Sequence, residues 1–312
     1  MRSGAPERTS RPFVAVIVPV YDDAERLTRC LRALEEQTYP ADQYQVLVVD
    51  NGSSEDIAGV CRAFPRVRCL LEPRPGSYAA RNKGIASTDG ELLAFTDSDC
   101  LPHRDWLERG AAHLQAEPDL GMVGGNVLVF PKDPSRKTAV ELYESAFAFP
   151  QRQRIEAEHW SVTANLLVRR DVMEAVGPFD AELRSGGDAE WCRRAHAAGH
   201  RLAYAEDARV DHPARASLAE LRAKARRVAG GARAARHDVP KRYLARFLVR
   251  SAYHSLRKTL WVLAGDRFNA TDVERFTVLE RLKISTVINL VTVWRLTEVV
   301  SLRFTERTAR RS

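Results

Sequence analysis

The chain has 312 residues, 45% of them hydrophobic or aromatic and 29% charged, with 48 Lys and Arg against 41 Asp and Glu. That balance describes a folded protein with one large domain, or a catalytic domain and a smaller appendage, and it excludes a fibre or a disordered tail. Five cysteines with no Cys-x-x-Cys pairing read as small core residues, which excludes a disulfide scaffold.

The net charge of +7 hides an asymmetry. Residues 216–312 carry 21 Lys and Arg against 8 Asp and Glu (+13), leaving 27 against 33 (−6) for residues 1–215. An acidic front half argues against a nucleic-acid groove, so no nucleic-acid partner is expected. The basic tail suits phospholipid, a lipid phosphate or plain solvent. Residues 1–12, MRSGAPERTSRP, are polar and basic with no apolar signal core, which predicts a flexible N-terminus and a cytoplasmic location, with the inner face of the cell membrane within reach of the tail. Asn51-Gly-Ser53 and Asn269-Ala-Thr271 match the glycosylation sequon and are read as coincidence.

In chain order, FVAVIVPV (13–20), YQVLVVD (44–50), VRCLLE (67–72) and ELLAFTD (91–97) read as buried parallel strands. Leu27, Leu31 and Leu34 recur at helical spacing between the first two, and Ala79, Ala80, Ile85 and Ala86 mark a helix before the fourth. This βαβ series predicts an α/β fold, an open and mostly parallel sheet with flanking helices that gathers ligands beyond the carboxyl ends of its strands. Polar residues collect at those ends: Tyr21 and Asp22, Asp50, then Asp97 and Asp99. The turn after the first strand, Val20-Tyr21-Asp22-Asp23-Ala24, has no glycine, which argues against a dinucleotide-binding domain and against a sugar nucleotidyltransferase.

These residues resemble the family-2 inverting glycosyltransferases of GT-A fold, over about residues 13–212. The resemblance rests on VIVPVYDDAERLTRCLRAL, VVDNGSSED, RNKGI and LLAFTDSDC in that order, followed by SVTANLLVRRDVMEAVGPFDAEL and GGDAEWCRRA. It implies a Rossmann-like GT-A domain at 13–215, with a nucleotide half at 13–100 and an acceptor half at about 101–215, and it does not reach the basic helical region at 216–312. It implies transfer of a sugar from a nucleotide diphosphate sugar to a hydroxyl of a glycan, lipid-linked or small-molecule acceptor, with inversion, in glycan or glycolipid assembly.

Residue by residue, Asp97-Ser98-Asp99 looks like the family's Asp-x-Asp signature. In an extended segment its carboxylates would project to one side, as hard ligands for Mn²⁺ or Mg²⁺. By the resemblance Asp99 is the direct ligand, and Asp97 faces the ribose and metal waters. Asp50 takes the nucleotide base, with Pro19 and Tyr21 shaping the wall beside it, Tyr21 being otherwise an ordinary half-buried aromatic at a strand end, and Arg81 sits near base or diphosphate or makes a surface salt bridge. Asp188, in Gly186-Gly187-Asp188, matches the family's catalytic base, with Gly187 where the family has Glu; a plain helix N-cap is its bland alternative. His212 resembles a histidine closing over the metal or diphosphate; a satisfied structural histidine is its alternative. Asn165 matches an acceptor-side position, and Trp191 is either the floor under an acceptor ring or core. A rival of another class is a non-catalytic protein that binds sugar nucleotides on the same fold.

In the tail, Leu244, Leu248, Ala252, Leu256, Leu260 and Leu263 share a broad helical arc opposite Arg246, Arg250, Arg257 and Lys258. That pattern fits either a peripheral membrane helix or a helix packed on its own domain. Residues 284–302 are apolar nearly all round, but Arg295 and Glu298 interrupt them at a spacing that lets them pair. A buried, homodimer-interface or membrane-embedded helix is expected rather than a true span.

Overall fold

The computed structural model describes residues 11–234, 241–265 and 276–309. The sequon at Asn269 lies outside them. By contacts the chain divides into two units, one of residues 1–126, 162–179 and 194–210, the other of residues 127–161, 180–193 and 211–312.

In the first unit β1 (Val14–Val20), β2 (Tyr44–Asp50), β3 (Val67–Leu71) and β4 (Leu92–Phe95) form where the apolar runs predict them. Pairs β1–β2, β2–β3 and β1–β4 are parallel. All seven residues of β1 are buried, as the middle strand of a sheet covered on both faces must be. β4 then pairs antiparallel with β7 (Leu166–Arg169), and β7 antiparallel with β6 (Leu120–Phe130). With β5 (Leu101–Pro102) and β8 (Arg201–Pro213) these make one eight-stranded sheet in the order β3-β2-β1-β4-β7-β6-β8-β5. The expected mostly parallel α/β architecture is therefore present, and the antiparallel pairs of β7 make the sheet mixed.

Helix α1 (Ala24–Glu35) buries Leu27, Leu31 and Leu34, the spacing that predicts it. The short α2 (Ile57–Arg62), too brief for a periodic signal, starts where Asp56 accepts a hydrogen bond from Gly59 N at 2.7 Å. Helix α3 (Ser77–Ile85) lies close on the sheet at Gly84, where a Cβ would stand 2.6 Å from Ile17 Cγ2. All five cysteines are free thiols; Cys30, Cys61, Cys100 and Cys192 are buried, as their apolar neighbours predict. Burial pushes the Cys61 thiol up to about 12, so it packs rather than reacts.

The second unit is helical. α5 (Ala139–Phe147), α9 (Leu218–Ala234), α10 (Lys241–Ala264) and α11 (Val278–Ala309) enclose a core of Val140, Leu142, Leu221, Val262, Ile284 and Ile288 among others. Residues from the middle of the chain thus share a core with the C-terminal helices, because Val140 and Leu142 on α5 are apolar and the buried stripe of α11 covers them. Among the described residues no helix is long and apolar enough to cross a membrane. Glu298 on α11 lies 3.6 Å from Arg226 on α9.

Candidate active site

In the first unit the loops that follow β1, β2 and β4 carry the polar residues, and side chains lace the loops to one another. Asp22, at φ +46, accepts hydrogen bonds from Ser54 N (2.6 Å) and Ser54 Oγ (2.9 Å), and its own N–H donates to Ser53 Oγ at 3.0 Å. Those bonds hold the Asp22 carboxyl below the usual range and support the left-handed conformation that Asp tolerates. Asp50 ends β2 and accepts from Ser53 N at 2.9 Å. Asn51 donates to the Glu72 and Arg74 carbonyls at 2.8 Å and accepts from Gly76 N at 2.7 Å, tying the loop after β2 to the entry of α3.

Tyr21, 64% exposed, stands just beyond β1. Pro19 is buried inside the strand, two residues past the last β1–β4 pair, where that side of β1 has no β4 partner needing its missing N–H.

Arg81 is only 4% exposed, so it is no surface salt bridge. One guanidinium nitrogen meets Asp97 Oδ1 at 2.5 Å, and the group lies 5.6 Å from the Tyr78 ring centroid. Its Nε is buried with no hydrogen-bond partner among the described residues. Asn82 exchanges two hydrogen bonds with the Phe179 backbone, at 2.8 and 3.0 Å, and Phe179 in turn packs on Tyr78 and Phe95.

The Asp-Ser-Asp segment is not extended, and this corrects the reasoning that set both carboxylates on one side. β4 ends at Phe95, and Cys100 N donates to the Asp97 carbonyl at 3.1 Å, closing a turn. Asp97 faces Arg81, whereas Asp99, 23% exposed at its side chain, has Arg26 Nη1 3.9 Å away. Arg26 also pairs with Asp23 at 2.7 Å.

Asn165 sits at the start of β7 and is fully buried. Its amide donates to the carbonyls of Asn126 and Ala208, both at 2.9 Å, and accepts from Trp106 Nε1 at 2.9 Å. Those bonds hold strand backbone together, and Gly125 leaves the room: a Cβ there would lie 2.4 Å from Asn165 Nδ2. The acceptor-side expectation for Asn165 meets a residue whose amide is engaged in the core.

The second unit holds Asp188, Trp191 and His212. Helix α8 (Gly187–Ala197) begins one residue before Asp188, which therefore stands in the first turn rather than at the cap and accepts from Ala189 N at 2.9 Å. Of the two readings of Trp191 its complete burial matches core. His212, 5% exposed, packs on the Phe149 ring at 4.8 Å. Its Nδ1 lies 2.8 Å from the Pro213 carbonyl, which can only accept. Nδ1 therefore carries the proton in the neutral ring, and the lone pair falls on Nε2, the tautomer that can ligate a cation.

Sequence reasoning missed the charges around these residues. Glu144 on α5, 1% exposed, is gripped by Arg215 at 2.7 Å and Lys224 at 3.0 Å. Burial drives the Lys224 ammonium down to about 8 despite that carboxylate. Arg154 on α6 (Gln151–Glu158) lies 4.7 Å from the Trp160 ring; burial lowers its pKa, and the Asp188 carboxylate opposes that shift most strongly. Nothing in the periodicity of α5 marks Glu144 as buried. For Asn51 a signal existed, its place inside VVDNGSSED.

The profile of glycosyl transferase family 2 matches residues 15–177. Glycosyltransferase AglE of Haloferax volcanii is 41% identical over 259 residues, 81% of this chain and 81% of that one. A pre-mycofactocin glycosyltransferase of Mycobacterium tuberculosis is 31% identical over 223 residues, which are 68% of this chain but 45% of the relative. Among solved structures, the mannosyltransferase PcManGT from Pyrobaculum calidifontis, in complex with GDP-Man and Mn²⁺, superposes with a TM-score of 0.58 at 23% identity, over 96% of this chain and 88% of that one. The fold is GT-A, and the chain belongs to glycosyl transferase family 2.

Proposed function

We propose that this glycosyltransferase moves a sugar from a nucleoside diphosphate to an acceptor hydroxyl in one inverting displacement. The observation that carries the reading is Arg81: a buried guanidinium beyond the carboxyl ends of β1, β2 and β4, bound to Asp97 on one nitrogen and with an unsatisfied Nε. Burying such a donor costs stability unless a ligand oxygen meets it, and a diphosphate offers several. The GDP-Man held by PcManGT supports the donor class.

In this reading Asp50 accepts from the base, with Pro19 and Tyr21 beside it, while Arg81 holds Asp97 toward the ribose. In the first unit Asp99 offers a carboxylate oxygen suited to a hard cation, and in the second His212 carries an Nε2 lone pair of the kind that suits Mn²⁺ better than Mg²⁺. When bound, such an ion offsets charge on the departing diphosphate. Asp188 takes the proton of the acceptor hydroxyl as its oxygen bonds to the anomeric carbon and the bond from that carbon to the diphosphate oxygen breaks. Asp188 stands in the first turn of α8, where its carboxylate can receive a proton lost late in the displacement.

Calorimetry of UDP, GDP and dTDP with Mn²⁺ or Mg²⁺ tests this. One nucleotide should bind only with metal, and Asp99→Asn should lose that binding while melting at the wild-type temperature. Equal affinity in the variant would remove Asp99 from the metal.

A further inference from the structure

Helix α10 is turned inside out for a helix in water. At about 100° per residue, Val249, Tyr253, Leu256, Leu260 and Leu263 fall in an arc of about 80°, and the strip they form is about 21 Å long. All five are exposed, from 41% at Leu263 to 70% at Val249. The face turned to α11 is instead largely polar. Ser255 Oγ lies 3.2 Å from Asn289 Oδ1 and 3.0 Å from Thr292 Oγ1, and Asn289 Nδ2 donates to Thr259 Oγ1 at 3.2 Å. Of the large apolar residues on α10, Val262 is buried in the core. A helix in water normally hides its leucines and shows its hydroxyls. A row of exposed large apolar side chains marks a surface made for a partner.

The charges on the helix say which partner. Arg246, Arg250 and Arg257, all exposed, follow the apolar arc on one flank, about 60–100° from its centre. Arg257 lies 4.3 Å from the Trp261 ring, a pairing of cation and indole suited to a lipid headgroup layer. Along Lys241–Ala264 there are six Lys and Arg and no Asp or Glu. A protein partner would need a matching acidic groove with an apolar floor, whereas an anionic bilayer offers both chemistries at once, over any area.

We infer that the outer face of α10 docks on an anionic membrane surface, with Leu256 and Leu260 at the centre of the apolar contact and Arg246, Arg250 and Arg257 on the headgroups. The docking is peripheral and reversible. It is independent of the catalytic reading, since no residue of α10 is assigned to transfer.

The test is co-sedimentation of the full chain with phosphatidylcholine vesicles, with and without phosphatidylglycerol. Wild type should pellet only with the anionic vesicles at low salt and be released near about 1 M salt, where the Debye length falls to about 3 Å. Leu256→Glu with Leu260→Glu should abolish pelleting. Arg246, Arg250 and Arg257 changed to Glu should weaken it by a factor of about 5 or more per residue. These positions are exposed, so circular dichroism and melting should match wild type, and Leu256→Ser with Leu260→Ser serves if the glutamates disturb folding. The inference is overturned if wild type stays in the supernatant with anionic vesicles, or if the leucine variants bind as wild type does. A wild-type dimer in sedimentation that the leucine variants dissociate would also overturn it, and would assign the face to a second copy.

Discussion

The sheet strand β1 and the helix α10 are both rich in large apolar residues, yet one buries every residue it has while the other, among its described side chains, leaves five large ones in solvent. The first unit keeps an apolar interior of Val, Ile and Leu, with the buried Arg81 meeting Asp97 just beyond the strands and Asp22, Asp50 and Asp99 on the loops there. The second unit takes charge inside: Glu144 between Arg215 and Lys224, and Lys258 against aromatic rings. The first arrangement resists change and holds the strand-end carboxylates still. In the second each buried charge depends on its partners, and stability becomes a function of pH.

The sharpest way to break this comparison is at the reacting groups. Asp188→Asn keeps the shape of the first turn of α8 and removes the basicity, so transfer should fall by roughly 10² to 10⁴ with nucleotide binding unchanged. Single-turnover rates measure it, and a wild-type rate would move the base elsewhere, with Glu190 next to examine.

Glu144→Gln asks whether the buried charge in the second unit is as costly to disturb as its geometry implies. Burial pushes the Glu144 carboxyl up, but Lys224 and Arg215 together hold it below its usual range. A depressed carboxyl contributes stability above its unfolded pKa and loses it as pH falls through the folded value. The amide leaves two cations without their counter-charge and should cost about 3–5 kcal/mol at pH 7 in denaturant unfolding, with the gap to wild type closing in acid. A variant as stable as wild type at pH 7 would show that solvent screens the cluster.

The smallest effect is expected at Lys258, whose ammonium burial brings down to about 7, with Arg295 adding to the fall. The Phe147 ring, 3.4 Å from Nζ, tempers this by favouring the cation. Because the folded value lies below the unfolded one, stability should rise with pH between about 7 and 10, where the unfolded chain holds the extra proton. Lys258→Met should therefore melt several degrees higher than wild type at pH 6, with the advantage gone near pH 10. A constant difference across that range would mean the lysine is solvated.

Much of the first unit could be read directly from residue order. Continuous apolar runs of five to eight residues, bounded by turn-forming residues, announce strands buried on both faces, and alternating helices leave them no simple arrangement but a parallel one. The same order of motifs pointed to Asp50, Arg81, Asp97 and Asp99, since ligand chemistry in such a sheet collects at strand ends. What the pattern could not supply was direction. Asp97 and Asp99 look like an extended pair on paper, but the strand stops at Phe95 and a turn sends one carboxylate to Arg81 and the other toward Arg26.

In the second unit the division runs the other way. The helical period of α10 was plain in the sequence, as were its leucines and arginines; Leu244 and Leu248, which the wheel also included, have side chains outside those described. Whether that arc faced inward or outward was not in the pattern, because an amphipathic helix carries no label for which side its own protein will take. The choice was made by tertiary contacts: Ser255 and Thr259 meeting Asn289 and Thr292, and the buried stripe of α11 covering α5. Asn165 and Glu144 belong to the same class, polar residues whose burial depends on carbonyls and cations brought from 39 to 80 positions away. Local order set the elements, their period and the chemistry at the strand ends; the partners of each buried polar group were decided only by the folded chain, because a hydrogen bond is satisfied in space and not along the sequence.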